Sequence, residues 1–173
     1  KIPKIILILT WVDTLAISAS SLVVPVFAIF VTRQIEDGSA TVVGLGAAIY
    51  WLVKSIFQLP IANFLDKNKG ERDDFYAMIA GYSLIAIVFF SYLLADKPFH
   101  IYILQVILGF GDALGVPAYL AVFSRHLKKL HESTEWTVRS VPIGLVSAGT
   151  AALGGMLVDK FGFSLVFVLA GFL

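Results

Sequence analysis

Apolar runs long enough to cross a bilayer follow one another along this chain, and short charged turns separate them. The sharpest turn spans Ala62 to Asp74, where seven of thirteen residues are charged. That knot has to stay in water while its flanks enter lipid, since one helical crossing takes about twenty apolar residues. Composition points the same way: 58% of residues are hydrophobic and 14% charged, against about 25% charged in an ordinary soluble domain. The reading is an all-α polytopic membrane protein in a cytoplasmic or inner membrane, with the lipid bilayer as its solvent. A net charge of +1 gives no ground for a nucleic-acid or acidic partner, and the absence of cysteine excludes disulfides and thiolate metal sites. No cofactor or metal site is expected.

Six helices are predicted, at about residues 4–32, 41–64, 75–95, 100–125, 140–158 and 162–173, the last of them incomplete. Between the fourth and fifth, His126 to Arg139 reads as a surface helix or loop. The chain opens on Lys1 and stops at Leu173 inside an apolar run, so residues 1–173 are expected to be the amino-terminal bundle of a longer protein. Nine basic residues, Lys1, Lys4, Lys67, Lys69, Arg72, Arg125, Lys128, Lys129 and Arg139, fall on one side. Arg33, Lys97 and Lys160 fall on the other. That bias predicts a cytoplasmic amino terminus.

An internal echo runs through the chain. Asp13 is followed by Val24-Pro25, and Asp112 by Val116-Pro117. Leu65-Asp66-Lys67 precedes Gly70, and Val158-Asp159-Lys160 precedes Gly162. Helices one to three and four to six then form two copies of one triplet, inverted in the membrane because three is odd.

Asp13, Lys54 and Asp112 lie well inside apolar spans. A charge at the centre of a lone helix in lipid costs at least ~2.5–3.5 kcal/mol, so these residues are expected to face protein or a wet cavity. At ~1.5 Å per residue, Asp13 lies about 14 Å and Lys54 about 15 Å from the same face, with Asp112 about 20 Å deep. Asp13 and Lys54 are therefore expected to pair, leaving the trio at net −1 and favouring a cationic or neutral solute. A carboxylate kept from water favours its neutral form and can load and unload a proton. The alternative is a structural ion pair that fixes helix register, with Asp112 merely lining a vestibule. Pro25 and Pro117 are expected to bend their helices. Gly109, Gly111, Gly154 and Gly155 are expected to allow close backbone approach. No HExxH, GxSxG or P-loop pattern lies in a span, so the reading is not an enzyme.

With this layout the chain resembles the amino-terminal half of a major facilitator superfamily transporter, over essentially its whole length. The Ala62–Asp74 stretch is similar to that family's loop G-x-L-x-D-R/K-x-G-R/K-R/K through Asp66 and Lys67. Ala62 replaces the leading glycine, Phe64 stands at the leucine, and Gly70 comes one residue late with Arg72 behind it. The resemblance implies that this loop is a conformational switch, Asp66 bracing one state against a helix of a second six-helix half. Arg125 is its nearest candidate partner in this half. Leu22 to Phe27 resembles the proline motif of drug–proton antiporters, which implies a proton carrier near Asp13. Helix four resembles R-x-x-q-G-x-g through Gly109 and Gly111, with Gln105 where arginine is expected, so Lys54 would supply the positive charge. Helix five resembles G-P-x-x-G-G only in Gly154-Gly155. Together these imply proton-coupled transport of a small-molecule substrate by alternating access. The rivals are a receptor or scaffold on the same fold, or a membrane-embedded enzyme with its site beyond Leu173.

Overall fold

The computed structural model describes residues 2–67 and 70–173. Lys1 and Lys69, two of the nine basic residues counted on one face, lie outside the described residues. The described residues form six α-helices and no strand: α1 (Lys4–Gln34), α2 (Ala40–Lys67), α3 (Arg72–Ser91), α4 (Pro98–Arg125), α5 (Glu132–Phe161) and α6 (Phe163–Phe172). A 3-10 turn, Tyr92–Leu94, extends α3. Five of these helices are long and apolar enough to cross a membrane.

Local chemistry sets the ends. Asp73 and Asp74 occupy the first turn of α3, and Glu132 and Glu135 that of α5, where carboxylates complement the helix dipole. Pro98 opens α4 at a position whose N–H has no helical partner to lose. Gly162 ends α5 at φ 79°, a left-handed conformation that glycine adopts without a Cβ penalty, and α6 restarts at the next residue. Helices α1 and α4 run unbroken through Pro25 and Pro117.

Several helix ends differ from the sequence reading by a few residues, and two of the differences bear on the charges inside the bundle. Helix α2 continues to Lys67 rather than Phe64, and α5 begins at Glu132 rather than Ser140. The polar stretch before Ser140 is thus mostly helix, because an acidic first turn makes a helix start that hydropathy alone does not register.

Helix α1 lies along α5, and α2 lies along α4. The two contacts exchange under the inverted relation that carries α1 to α4 and α2 to α5. Each has a glycine at its crossing. A Cβ on Gly109 of α4 would sit 2.6 Å from the Tyr50 carbonyl oxygen of α2, and one on Gly154 of α5 would run into the Leu22 backbone of α1. Gly111 of α4 meets Gly81 of α3 in the same way, whereas the position of a Cβ on Gly155 is open.

Helices α1 and α4 form the centre: 44% of the most apolar stretch of each is buried, against 11% for α2 and 6% for α5. The outer faces of α2 and α5 carry Leu52, Ile56, Leu59, Leu145, Leu153 and Met156, surfaces suited to lipid or another apolar element. Inside, two apolar clusters lie toward opposite ends. One gathers Phe30, Val31, Val88, Tyr92, Ile101 and Phe167, the other Ile6, Leu9, Met78, Tyr119 and Phe123. Between them lies a polar layer.

Candidate functional site

The polar layer begins on one face of α1, where Thr10, Asp13, Thr14 and Ser18 are all buried. The three hydroxyls satisfy themselves within the helix, donating to Ile6, Thr10 and Thr14 carbonyls at 2.7, 2.7 and 2.5 Å. Asp13 has no such recourse, and a buried carboxylate needs a cation. Its partner is Arg139 of α5, with Nη2 2.6 Å from Oδ2. Arg139 also donates from Nε to the Tyr119 hydroxyl at 3.2 Å. Its guanidinium lies over the Tyr119 and Trp136 rings, 5.2 and 5.6 Å from their centroids. The Tyr119 hydroxyl donates to the Leu9 carbonyl at 3.4 Å.

A second pair joins α2 to α4. Lys54 Nζ is 3.0 Å from Asp112 Oδ2 and donates to the Tyr50 hydroxyl at 3.1 Å. Tyr50 in turn donates to Asp112 Oδ2. The ammonium lies near two ring faces, 5.4 Å from the centroid of Tyr50 and 5.3 Å from that of Trp51, an arrangement that favours a cation.

Asp13 and Arg139 of the first pair and Asp112 of the second border connected space, and Lys54 stands behind Asp112 and Tyr50. A cavity of about 420 Å³ is lined by Ser20, Phe27, Tyr50, Trp51, Tyr92, Gln105 and Asp112 among others. A neighbouring one of about 450 Å³ takes in Asp13, Tyr82, Tyr119 and Arg139, and shares Ser20, Tyr50, Ile85, Phe89 and Asp112 with the first. Gln105 is buried in the wall and donates to the Tyr92 hydroxyl at 3.3 Å.

The expected Asp13–Lys54 pair is not formed. Extending α2 to Lys67 moves Lys54 from about 15 to about 20 Å below that end, the depth of Asp112 rather than Asp13. Lys54 and Asp112 then stand opposite each other at the midpoints of two 28-residue helices. Arg139, counted among the charges outside the membrane, is seven residues into α5, about 10 Å along it. That places it within reach of Asp13. The four charges sum to zero rather than the trio to −1, which withdraws the inference toward a cationic solute. Glu132 and Glu135 were the overlooked signal, since an acidic first turn starts the helix early enough to bring Arg139 into the span.

A separate clasp ties the charged turn to α4. Arg125 pairs with Asp74 of α3, which is fully buried, and donates to the Gly70 carbonyl at 3.3 Å. His126 stands 3.5 Å from Glu71. Asp66 is exposed and is not the ion-pair partner of Arg125, contrary to expectation; Asp74 takes that place. Asp66 borders a cavity of about 540 Å³ with Ser55, Gln58 and Pro117. Lys67 closes α2, Gly70 bends the turn at φ 153°, and Arg72 opens α3. Beyond this clasp, buried Glu135 accepts the Lys128 backbone N–H at 2.9 Å and so holds the α4–α5 connection.

The family model for the Major Facilitator Superfamily matches residues 6–173. Neither a curated protein nor a solved structure matches the chain.

Proposed function

The chain belongs to the Major Facilitator Superfamily, and from that membership we propose that it is one six-helix half of a proton-driven secondary transporter working by alternating access. A second six-helix half beyond Leu173 would cover the exposed faces of α2 and α5 and close the cavity between the two bundles. The single observation that carries the reading is the pair of carboxylates, Asp13 and Asp112, each held by one cation at the edge of a shared cavity. Buried ion pairs contribute little net stability compared with apolar residues of similar volume, and in lipid spans charges commonly mark a pathway.

In this scheme a proton arriving at a carboxylate frees its basic partner, and the pair re-forms when the proton leaves. Each change of state alters what the cavity binds and how tightly α2 holds α4, or α1 holds α5. The clasp of Arg125 on Asp74 and Gly70 ties the start of α3 to the end of α4, and the exposed Asp66 at the end of α2 is free to meet the second half. Moving Arg139 into the span leaves eight basic residues against three, which still supports a cytoplasmic amino terminus. The proline motif resembles that of antiporters, whereas the chemistry of the Lys54–Asp112 pair favours symport.

Membrane vesicles carrying the full-length protein test the reading. Solutes are screened for accumulation driven by a pH gradient, and Asp13→Asn and Asp112→Asn are then compared with the parent. Loss of gradient-driven accumulation in at least one variant is expected. Undiminished accumulation in both would remove the proton role from these residues.

A further inference from the structure

Resting on the transporter reading, we propose that the site takes a small solute with one carboxylate and an apolar or aromatic body, moved in the same direction as one proton carried by Asp112. One member of the Lys54–Asp112 pair has to lose its charge for the pair to open. Asp112 is faced by Lys54 and Tyr50 from α2 and by Tyr82 from α3, with the Asp13–Arg139 pair of α1 and α5 and Tyr119 of α4 lining the adjoining space. Arg139 and Asp13 face each other as an ion pair, so with Asp112 as the proton carrier the second pair adds no net charge. If Lys54 gave up its proton, a neutral amine would be left between the ring faces of Tyr50 and Trp51, which attract cations. If Asp112 gains a proton, those rings still hold the ammonium. The second change is the one this surround favours.

Protonated Asp112 leaves the layer at net +1. Lys54 Nζ and the Tyr50 O–H are both engaged with Asp112 Oδ2 at rest; once that oxygen is neutral, the Tyr50 O–H on the cavity wall and the ammonium 3.1 Å behind it are released together toward an anion. A carboxylate accepts from two such donors at once and neutralises the layer, whereas an ammonium would add a second positive charge beside Lys54. The remaining wall is largely apolar: Val23, Phe27, Trp51, Phe89 and Leu108 border the same 420 Å³ space, a volume within the roughly 300–1,000 Å³ typical of small-molecule sites. The step balances. One proton from water joins Asp112, one anion binds Lys54, both leave on the far side, the ion pair re-forms, and no net charge crosses.

Three probes that share a phenyl ring and differ in charge separate the possibilities: phenylacetate, phenylacetamide and phenethylamine, titrated calorimetrically into purified full-length protein. Asp112→Asn mimics the protonated acid. It is expected to bind phenylacetate at least tenfold more tightly than the parent does, and at least tenfold more tightly than it binds phenylacetamide. Asp112→Asn/Lys54→Gln, checked for an unchanged melting profile, is expected to lose that gain. Preference of the parent for phenethylamine, or no gain in Asp112→Asn, overturns the proposal. Should the gain occur while vesicles show no pH-driven phenylacetate uptake, the carboxylate site stands and the pump does not. Should proton-driven transport fail in Asp112→Asn while phenethylamine is preferred, the pump stands and the carboxylate does not.

Discussion

Removing the guanidinium of Arg139 leaves Asp13 as a buried charge without a cation, because the neighbouring hydroxyls already donate to their own helix. Breaking a buried pair from one side costs about 3–5 kcal/mol, whereas replacing both members by neutral groups can be close to harmless. Arg139→Gln is therefore expected to lower the denaturation midpoint in detergent markedly, and Asp13→Asn/Arg139→Gln to recover most of the loss. A double variant no better than Arg139→Gln alone would argue that Asp13 is stabilised by something other than that guanidinium. Lys54 differs in being braced three ways, by Asp112, the Tyr50 hydroxyl and two ring faces. Tyr50→Phe keeps the ring and removes only the hydroxyl. It is expected to preserve folding to within about 0.5–1.5 kcal/mol, the net worth of one hydrogen bond, while impairing proton-coupled flux measured in vesicles.

Helix α4 approaches α2 closely enough at Gly109 that no side chain fits against the Tyr50 carbonyl. The backbone of Tyr50 is thereby pinned one turn from Lys54, which couples helix packing to the geometry of the site. Gly109→Ala is expected to cost about 1–3 kcal/mol, the range for overpacked cores, and to weaken proton-coupled transport as well. Gly155→Ala, where a Cβ meets open space, is expected to leave the melting temperature unchanged or slightly raised, since alanine favours helix over glycine. Equal effects at the two positions would show that the α2–α4 crossing is not tight. At the ends of α3 and α4, Asp74 is buried and held by Arg125. Asp74→Ala leaves that cation without its buried anion, so loosening of the charged turn should appear as faster backbone hydrogen exchange around Gly70.

The bundle as a whole has two faces that water can reach and a belt that it cannot. Residues 1–173 contain no cysteine, so single cysteines placed among them report sidedness once any cysteine in the rest of the protein has been replaced. Cysteines placed at Glu71 and Lys129 are expected to react with a membrane-impermeant maleimide only when the cytoplasmic face is open. Those at Asp37 and Lys97 should react in intact cells. Reversal of that pattern would turn the molecule over and with it the direction of the proton path, while leaving the ion pairs as they are. The reciprocal packing of α1 on α5 and α2 on α4 means that the two halves of the triplet repeat brace each other rather than fold side by side. One ion pair sits in each of those contacts.

Hydropathy and charge by themselves determined that this chain crosses a membrane, roughly where each helix lies, and that Asp13, Lys54 and Asp112 must turn inward. Those conclusions depend only on the solvent each residue can tolerate, and lipid tolerates few charges. Which charge meets which was decided by tertiary structure. Three more residues of α2 and eight more of α5 set the depth of Lys54 and drew Arg139 inside, and hydropathy is nearly blind to such polar helix ends. Asp74 as the partner of Arg125, and Tyr50 as the bridge between Lys54 and Asp112, follow from contacts between helices dozens of residues apart. A one-dimensional pattern carries depth along each helix but not rotation about its axis, and rotation selects the partner.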